Sequence, residues 1–260
     1  GRPCGRGLAL AGARILPVMA TTILPSPRDE MHHRSPYTLG QFHARVPWAL
    51  PGVSALVVIL GIGASLGLLF WDEPITRVAV ELRGPTLDAV ARRVSWFGST
   101  RVVLCVAALA ALASWRRCPR LAIAIVVIAL ARPLVEFTLK ELVDRPRPAG
   151  DRLVPGNGPS FPSGHPLATA ASWCLVPLVV GLYTARRSVW WASVVAAWLL
   201  AVAVAASRVW LGVHWTSDVI AGLLLAVLGV FAAERCIDRV HRPGCAAARA
   251  RGPAPSNLAD

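Results

Sequence analysis

Apolar residues in this chain run in long blocks rather than alternating with polar ones. Six blocks follow one another, at residues 46–71, 99–115, 121–139, 166–185, 188–207 and 216–233. Each comes near the roughly 20 residues that an α-helix needs to cross the hydrocarbon core of a bilayer. Because no water there satisfies backbone N–H and C=O groups, such blocks must close their hydrogen bonds internally as helices. The pattern predicts an all-α, polytopic membrane domain of six transmembrane helices over residues 46–235. The block at 99–115 is the shortest, and Pro85 to Phe97 is expected as a short amphipathic helix at the membrane interface.

The flanks read differently. Residues 1–45 are rich in Arg and Pro, lack sustained apolar periodicity, and are expected to be a disordered cytoplasmic tail; residues 236–260 form a second, Arg-rich cytoplasmic tail. Leu8 to Leu24 superficially resembles a signal peptide, but Arg14, Pro17 and the lack of a small-residue cleavage site argue against one. The sequence starts at Gly1 rather than Met, which leaves room for a translation start at Met19 or Met31.

Composition supports a bilayer as solvent. Of 260 residues, 55% are hydrophobic and 16% charged, which disfavours an ordinary soluble domain. The net charge of +13 is carried almost wholly by arginine, and its placement decides its meaning. The loops Arg116-Arg117-Cys118-Pro119-Arg120 and Arg186-Arg187 hold five arginines and no acid, so the positive-inside rule puts both in the cytoplasm, together with both termini. The loop from Asp72 to Arg101 mixes four acids with its basic residues, as an outward loop does. The arginine excess is thereby explained without nucleic acid as a partner. The six cysteines show no CxxC spacing, so neither a disulfide framework nor a zinc site is expected.

This topology gathers three stretches at the outer face. The first, after the third block, runs Lys140-Glu141-Leu142-Val143-Asp144-Arg145-Pro146-Arg147-Pro148, a cationic helix exit that suits either an anion or interfacial anchoring. The second, Phe161-Pro162-Ser163-Gly164-His165-Pro166, has Ser163 at an N-cap and Pro166 in the first turn, marking a helix N-terminus. Free N–H groups and the helix dipole favour an anion there, and Gly164 admits it closely. The third runs from Ser207 and Arg208 to His214 and Asp218. A spacing of four would place His214 and Asp218 on one helix face, so that the carboxylate holds one imidazole nitrogen and the other is free to attack.

Together the stretches resemble the three signature motifs of the type 2 phosphatidic acid phosphatase (PAP2) family, which also includes vanadium haloperoxidases and undecaprenyl-pyrophosphate phosphatases. Lys140 with Arg147 and Pro148 matches the first motif, Pro162 to His165 the second, and Ser207, Arg208, His214 and Asp218 the third. The resemblance implies a PAP2/haloperoxidase-like helical core. It also implies hydrolysis of a lipid-linked phosphate or diphosphate, phosphatidate-like or prenyl, with no metal or other cofactor. His214 is then the nucleophile, Asp218 its partner and His165 the general acid, while Lys140, Arg147, Ser163, Gly164 and Arg208 hold the phosphate. The implied location is the cell membrane with the active site outside.

Arg132 and Glu136, four apart inside the third block, read as a structural ion pair. Two other readings stand beside hydrolysis: a phosphotransferase of the same superfamily, and a polytopic transporter or structural membrane protein. The transporter would carry its charges along the helices rather than at one face. A haloperoxidase is expected to be soluble, and the six apolar blocks count against it.

Overall fold

The computed structural model describes residues 49–184 and 186–238, with side chains for 50–184 and 186–232. The tails, with Met19, Met31, His32, His33, His43 and His241, lie outside the described residues. Among the described residues every regular element is a helix: α1 (Ala49–Ser65), α2 (Asp72–Glu81), α3 (Pro85–Trp96), α4 (Thr100–Trp115), α5 (Pro119–Val143), α6 (Gly164–Trp173), α7 (Val176–Gly181), α8 (Arg187–Trp210) and α9 (Thr216–Asp238).

The helices are built for lipid. On α5 the exposed residues Ile123, Val126, Val127, Leu130, Leu134 and Phe137 recur at spacings of three and four, one stripe turned away from the bundle. Its inward face carries Leu121, Ala122 and Ile125, each at most 2% exposed. An apolar stripe outside and a tightly buried apolar seam inside is the arrangement of a helix bundle in a bilayer. The chain is a multi-pass membrane protein.

All six apolar blocks form helix, but they differ in reach. By length and composition, α5, the α6–α7 run over Gly164–Gly181 and α8 can each cross a membrane. The pair α3 and α4, bent by 42°, makes a fourth if taken as one broken span. Within the described residues the block at 46–71 contributes α1, which stops at Ser65 just before Gly67 takes a left-handed φ of +68. There the N–H of Gly67 bonds to Ala64 O and that of Leu68 to Gly63 O, a glycine-terminated helix end. The expected helix over Pro85 to Phe97 is α3, continuing through the bend into α4.

Helix α6 lies at the centre. Every residue from Pro166 to Ser172 is buried, against α9, α8, α4 and α5. The approach of α9 is close enough to require glycine: a Cβ on Gly222 would lie 2.6 Å from the Ser163 carbonyl oxygen. That contact fixes the start of α6 beside the start of α9, where the Ser163 N–H donates to the Asp218 carbonyl at 3.0 Å.

The loops at this end are tied by an arginine from α3 and one from the link between α2 and α3. Arg83 donates to the carbonyls of Trp210 (3.1 and 2.9 Å) and Asp151 (2.8 Å), and Arg92 to that of Leu153 (2.6 Å). Guanidinium groups meeting otherwise orphaned carbonyls stabilise irregular backbone that no helix satisfies.

Candidate active site

Each of the three motif stretches reaches the same place by its own local logic. Asp144 adopts a left-handed φ of 41 and closes α5 by donating its N–H to the Lys140 carbonyl. The chain then turns so that Arg145 is buried and Arg147 faces a cavity. At the start of α6 the backbone of Ser163 has the expected extended cap geometry, but its hydroxyl makes no cap bond. At the end of α8, Gly212 takes φ +74 and turns the chain into Val213 and His214.

The result is a cavity of about 350 Å³ whose wall includes Lys140, Arg147, Gly164, His165, Arg208 and His214. Ser163 and Asp218 lie behind it, each 0% exposed. A larger apolar cleft of about 480 Å³ between α4 and α5 is lined by Ala, Leu, Ile, Val and Trp, and nothing in it could hold an anion.

The hydrogen bonds of these cations go to neutral acceptors, with the Glu136 carboxylate 3.8 Å from Lys140. Lys140 Nζ donates to the Pro159 carbonyl at 2.9 Å. Arg147 donates to the carbonyls of Gly158 (2.9 Å), Asn157 (2.8 Å) and Val213 (2.7 Å). Arg208 Nη1 donates to Ser95 Oγ at 2.7 Å, while its buried Nε and the buried Ser163 hydroxyl have no hydrogen-bond partner among the described residues. Buried donors left unmet are costly, by about 1–3 kcal/mol each, and mark places where a ligand supplies the acceptor.

Hydrogen bonding fixes the tautomer of His214. Its Nδ1 lies 2.8 Å from the Ser160 carbonyl oxygen, which can only accept, so Nδ1 carries the proton. Its Nε2 lies 3.2 Å from Arg147 Nη1, which can only donate, so Nε2 presents a lone pair. Burial pushes the imidazole down to about 4, with Asp218 opposing the fall and Arg147 and Arg208 adding to it. His214 is therefore neutral at ordinary pH, with the unprotonated nitrogen on the cavity side.

Asp218 is placed differently from the spacing argument. His214 precedes α9 rather than riding on it, and its Nδ1 is 3.6 Å from Asp218 Oδ2, too long for a hydrogen bond. The carboxylate accepts from the Trp215 N–H at 2.9 Å and from Arg145 Nη1 at 2.8 Å. The carbonyl of Ser160 takes the orienting bond that the sequence pattern assigns to Asp218, because the turn at Gly212 carries the imidazole off the helix axis.

Several participants were not legible as such. Arg132 and Glu136 do pair, at 2.7 Å, but both line the cavity, and Glu136 also sits 3.8 Å from Lys140. A Cβ on Gly164 would fall 2.1 Å from Glu136 Oε1, so this carboxylate packs directly on the glycine of the second motif. The i, i+4 spacing of Arg132, Glu136 and Lys140 was the available signal. Arg145, Asp72 and Ser217 form a buried network beneath Asp218; Asp72 lies 73 residues before Arg145, and no local pattern links them.

Known proteins resemble this chain in sequence and in fold. The PAP2 superfamily profile matches residues 120–242. Phosphatidylglycerophosphatase B of Bacillus subtilis (strain 168) is 30% identical over 178 residues, covering 66% of this chain and 85% of that protein. The crystal structure of a transmembrane PAP2-type phosphatidylglycerolphosphate phosphatase from Bacillus subtilis superposes with a TM-score of 0.67 at 24% identity, covering 74% of this chain and 98% of the other. That of Aquifex aeolicus LpxE gives 0.52 at 19% identity, covering 64% and 95%. At these identities the two structures speak to the fold.

Proposed function

The chain belongs to the PAP2 superfamily and is a phosphatase, and we propose that it hydrolyses a membrane lipid phosphate or prenyl diphosphate through a phosphohistidine on His214. One observation supports the mechanism above the rest: the unprotonated Nε2 of His214, met by Arg147, lies at a cavity walled by Lys140, Arg147 and Arg208 at the N-terminus of α6. In the first step Nε2 attacks phosphorus and the bond from phosphorus to the leaving oxygen breaks, the ester oxygen of a lipid phosphate or the bridging oxygen of a diphosphate; His165, held protonated by the bound phosphate anion, gives its proton to that oxygen. In the second, neutral His165 takes a proton from water as the water oxygen attacks. The P–Nε2 bond breaks and inorganic phosphate leaves. Lys140, Arg147, Arg208, the Ser163 hydroxyl and the Gly164 amide hold the non-bridging oxygens, where charge stabilisation dominates phosphoryl transfer.

In this reading six membrane passages are made by α1, the α3–α4 pair, α5, the α6–α7 run, α8 and α9. The arginine-flanked loops and both termini face the cytoplasm, and the site faces outward at headgroup depth. An anchored substrate then brings its phosphate to the cavity without leaving the bilayer. Among substrates, phosphatidate-like lipids, phosphatidylglycerophosphate (which the curated relative's name points to) and prenyl diphosphates all fit.

The test is phosphate release by detergent-purified protein across lipid phosphates of graded chain length in mixed micelles. Buried chain adds about 0.8 kcal/mol per methylene, so kcat/KM is expected to rise steeply with length. Activity should persist in excess chelator and be blocked by vanadate, which mimics the five-coordinate phosphoryl group. Equal efficiency on a short soluble ester and its long-chain analogue would overturn the lipid assignment. Loss of activity in chelator, restored by magnesium, would overturn the chemistry.

A further inference from the structure

Behind the cavity, one guanidinium is shared by two buried carboxylates. Arg145 Nη1 donates to Asp218 Oδ1 and Arg145 Nη2 to Asp72 Oδ2, each at 2.8 Å. Arg145 Nη1 also donates to Ser217 Oγ at 2.6 Å, and the Ser217 hydroxyl in turn donates to Asp72 Oδ2. Asp72 Oδ1 accepts the Ser217 N–H at 2.9 Å. Arg145, Asp72 and Asp218 are 8%, 2% and 0% exposed, so these charges act at low dielectric.

Charge accounting gives the network a purpose. With Arg145 alone beside it, Asp218 would be neutralised as a pair and would offer little to His214. With Asp72 the cluster of three carries a net charge of −1. Attack by Nε2 leaves the imidazole bearing both the phosphoryl group and the Nδ1 proton, hence cationic, 3.6 Å from Asp218. The cluster and the imidazolium ring then sum to zero, the charge on the phosphoryl oxygens being met by Lys140, Arg147 and Arg208.

We infer that Asp72 is a positioning residue for phosphoryl transfer: by sharing Arg145 it leaves Asp218 with the negative charge that meets the cationic phospho-imidazole. This rests on His214 being the nucleophile. The competing role for Asp72 is mechanical, as a distant cap on the N-terminus of α9 through the Ser217 N–H.

A charge cycle on the full chain separates the two. Single-turnover phosphorylation of the enzyme is measured for the wild type, Asp72→Asn, Arg145→Met and the double variant, whose clusters carry −1, 0, −2 and −1. Asp72→Asn is expected to slow phosphorylation about tenfold or more, a coupling usual within one hydrogen-bond network, with KM changed by less than about threefold. The double variant, its charge restored, should regain most of that rate. A double variant no faster than Asp72→Asn would overturn the inference, since restoring charge cannot restore a cap. Should Asp72→Asn not fold, as judged by gel filtration, Asp72→Glu decides: it keeps the cluster at −1 while moving the carboxylate off the Ser217 N–H, and should phosphorylate within about threefold of wild type, whereas a loss of about tenfold or more would overturn the charge role. If wild type itself gives no phosphohistidine at His214, the proposed function fails instead.

Discussion

His214→Ala is expected to abolish phosphate release, with kcat falling by about 10⁴-fold or more, as when a covalent nucleophile is removed from an enzyme whose groups act as a unit. The expectation follows from hydrogen bonding. Ser160 fixes the proton on Nδ1, and Arg147 meets the unprotonated Nε2 at 3.2 Å, which leaves His214 with its basic nitrogen on the cavity side. The variant leaves the Ser160 carbonyl without its donor, at a cost of about 1–3 kcal/mol, so gel filtration must show the folded protein before turnover is scored. A folded variant that still releases phosphate near the wild-type rate would remove His214 from the chemistry.

His165→Ala should cost about 10²–10⁴-fold on an alkyl phosphate, the usual contribution of a positioned general acid. His165 is the second residue of α6 and lines the same cavity as His214, where it can reach the leaving oxygen. An alkoxide is a poor leaving group and needs its proton. A nitrophenolate does not, so on an aryl phosphate the loss should shrink by at least about tenfold. An equal loss on both substrates would make His165 a binding group rather than an acid.

What was legible in the sequence is what depends on local pattern. The cationic run at Lys140, the cap and glycine at Ser163 and Gly164, and the Arg208 to Asp218 stretch each mark a helix end, and helix ends carry the unsatisfied groups that make anion sites. The structure brings Lys140, Arg147, Gly164, His165, Arg208 and His214 to one cavity. Contacts set by tertiary distance were not legible. The bond from His214 to Ser160 spans 54 residues, and that from Arg145 to Asp72 spans 73. The i, i+4 rule that joined His214 to Asp218 assumed a helix where the chain makes a turn. Hydrophobic length likewise located the helices but not their ends, because Gly67 stops α1 inside an apolar block.

Glu136 shows the same limit in another form. As sequence it is one half of an intramembrane pair with Arg132, and the pair is present. Only the packing of α5 against α6 reveals that its carboxylate rests on Gly164, inside the cavity that the cations line. A residue judged structural from its own helix is part of the site once two helices meet.

The central claim is the covalent intermediate, and rapid quenching tests it most directly. Wild-type protein mixed with a lipid phosphate radiolabelled in its phosphoryl group is stopped in alkali within the first turnover, digested and mapped. The account predicts an acid-labile, alkali-stable phosphoryl group on the peptide containing His214, absent from His214→Ala and accumulating before free phosphate appears. Phosphate formed in a burst-free reaction with no labelled histidine, or label on another residue, would contradict it.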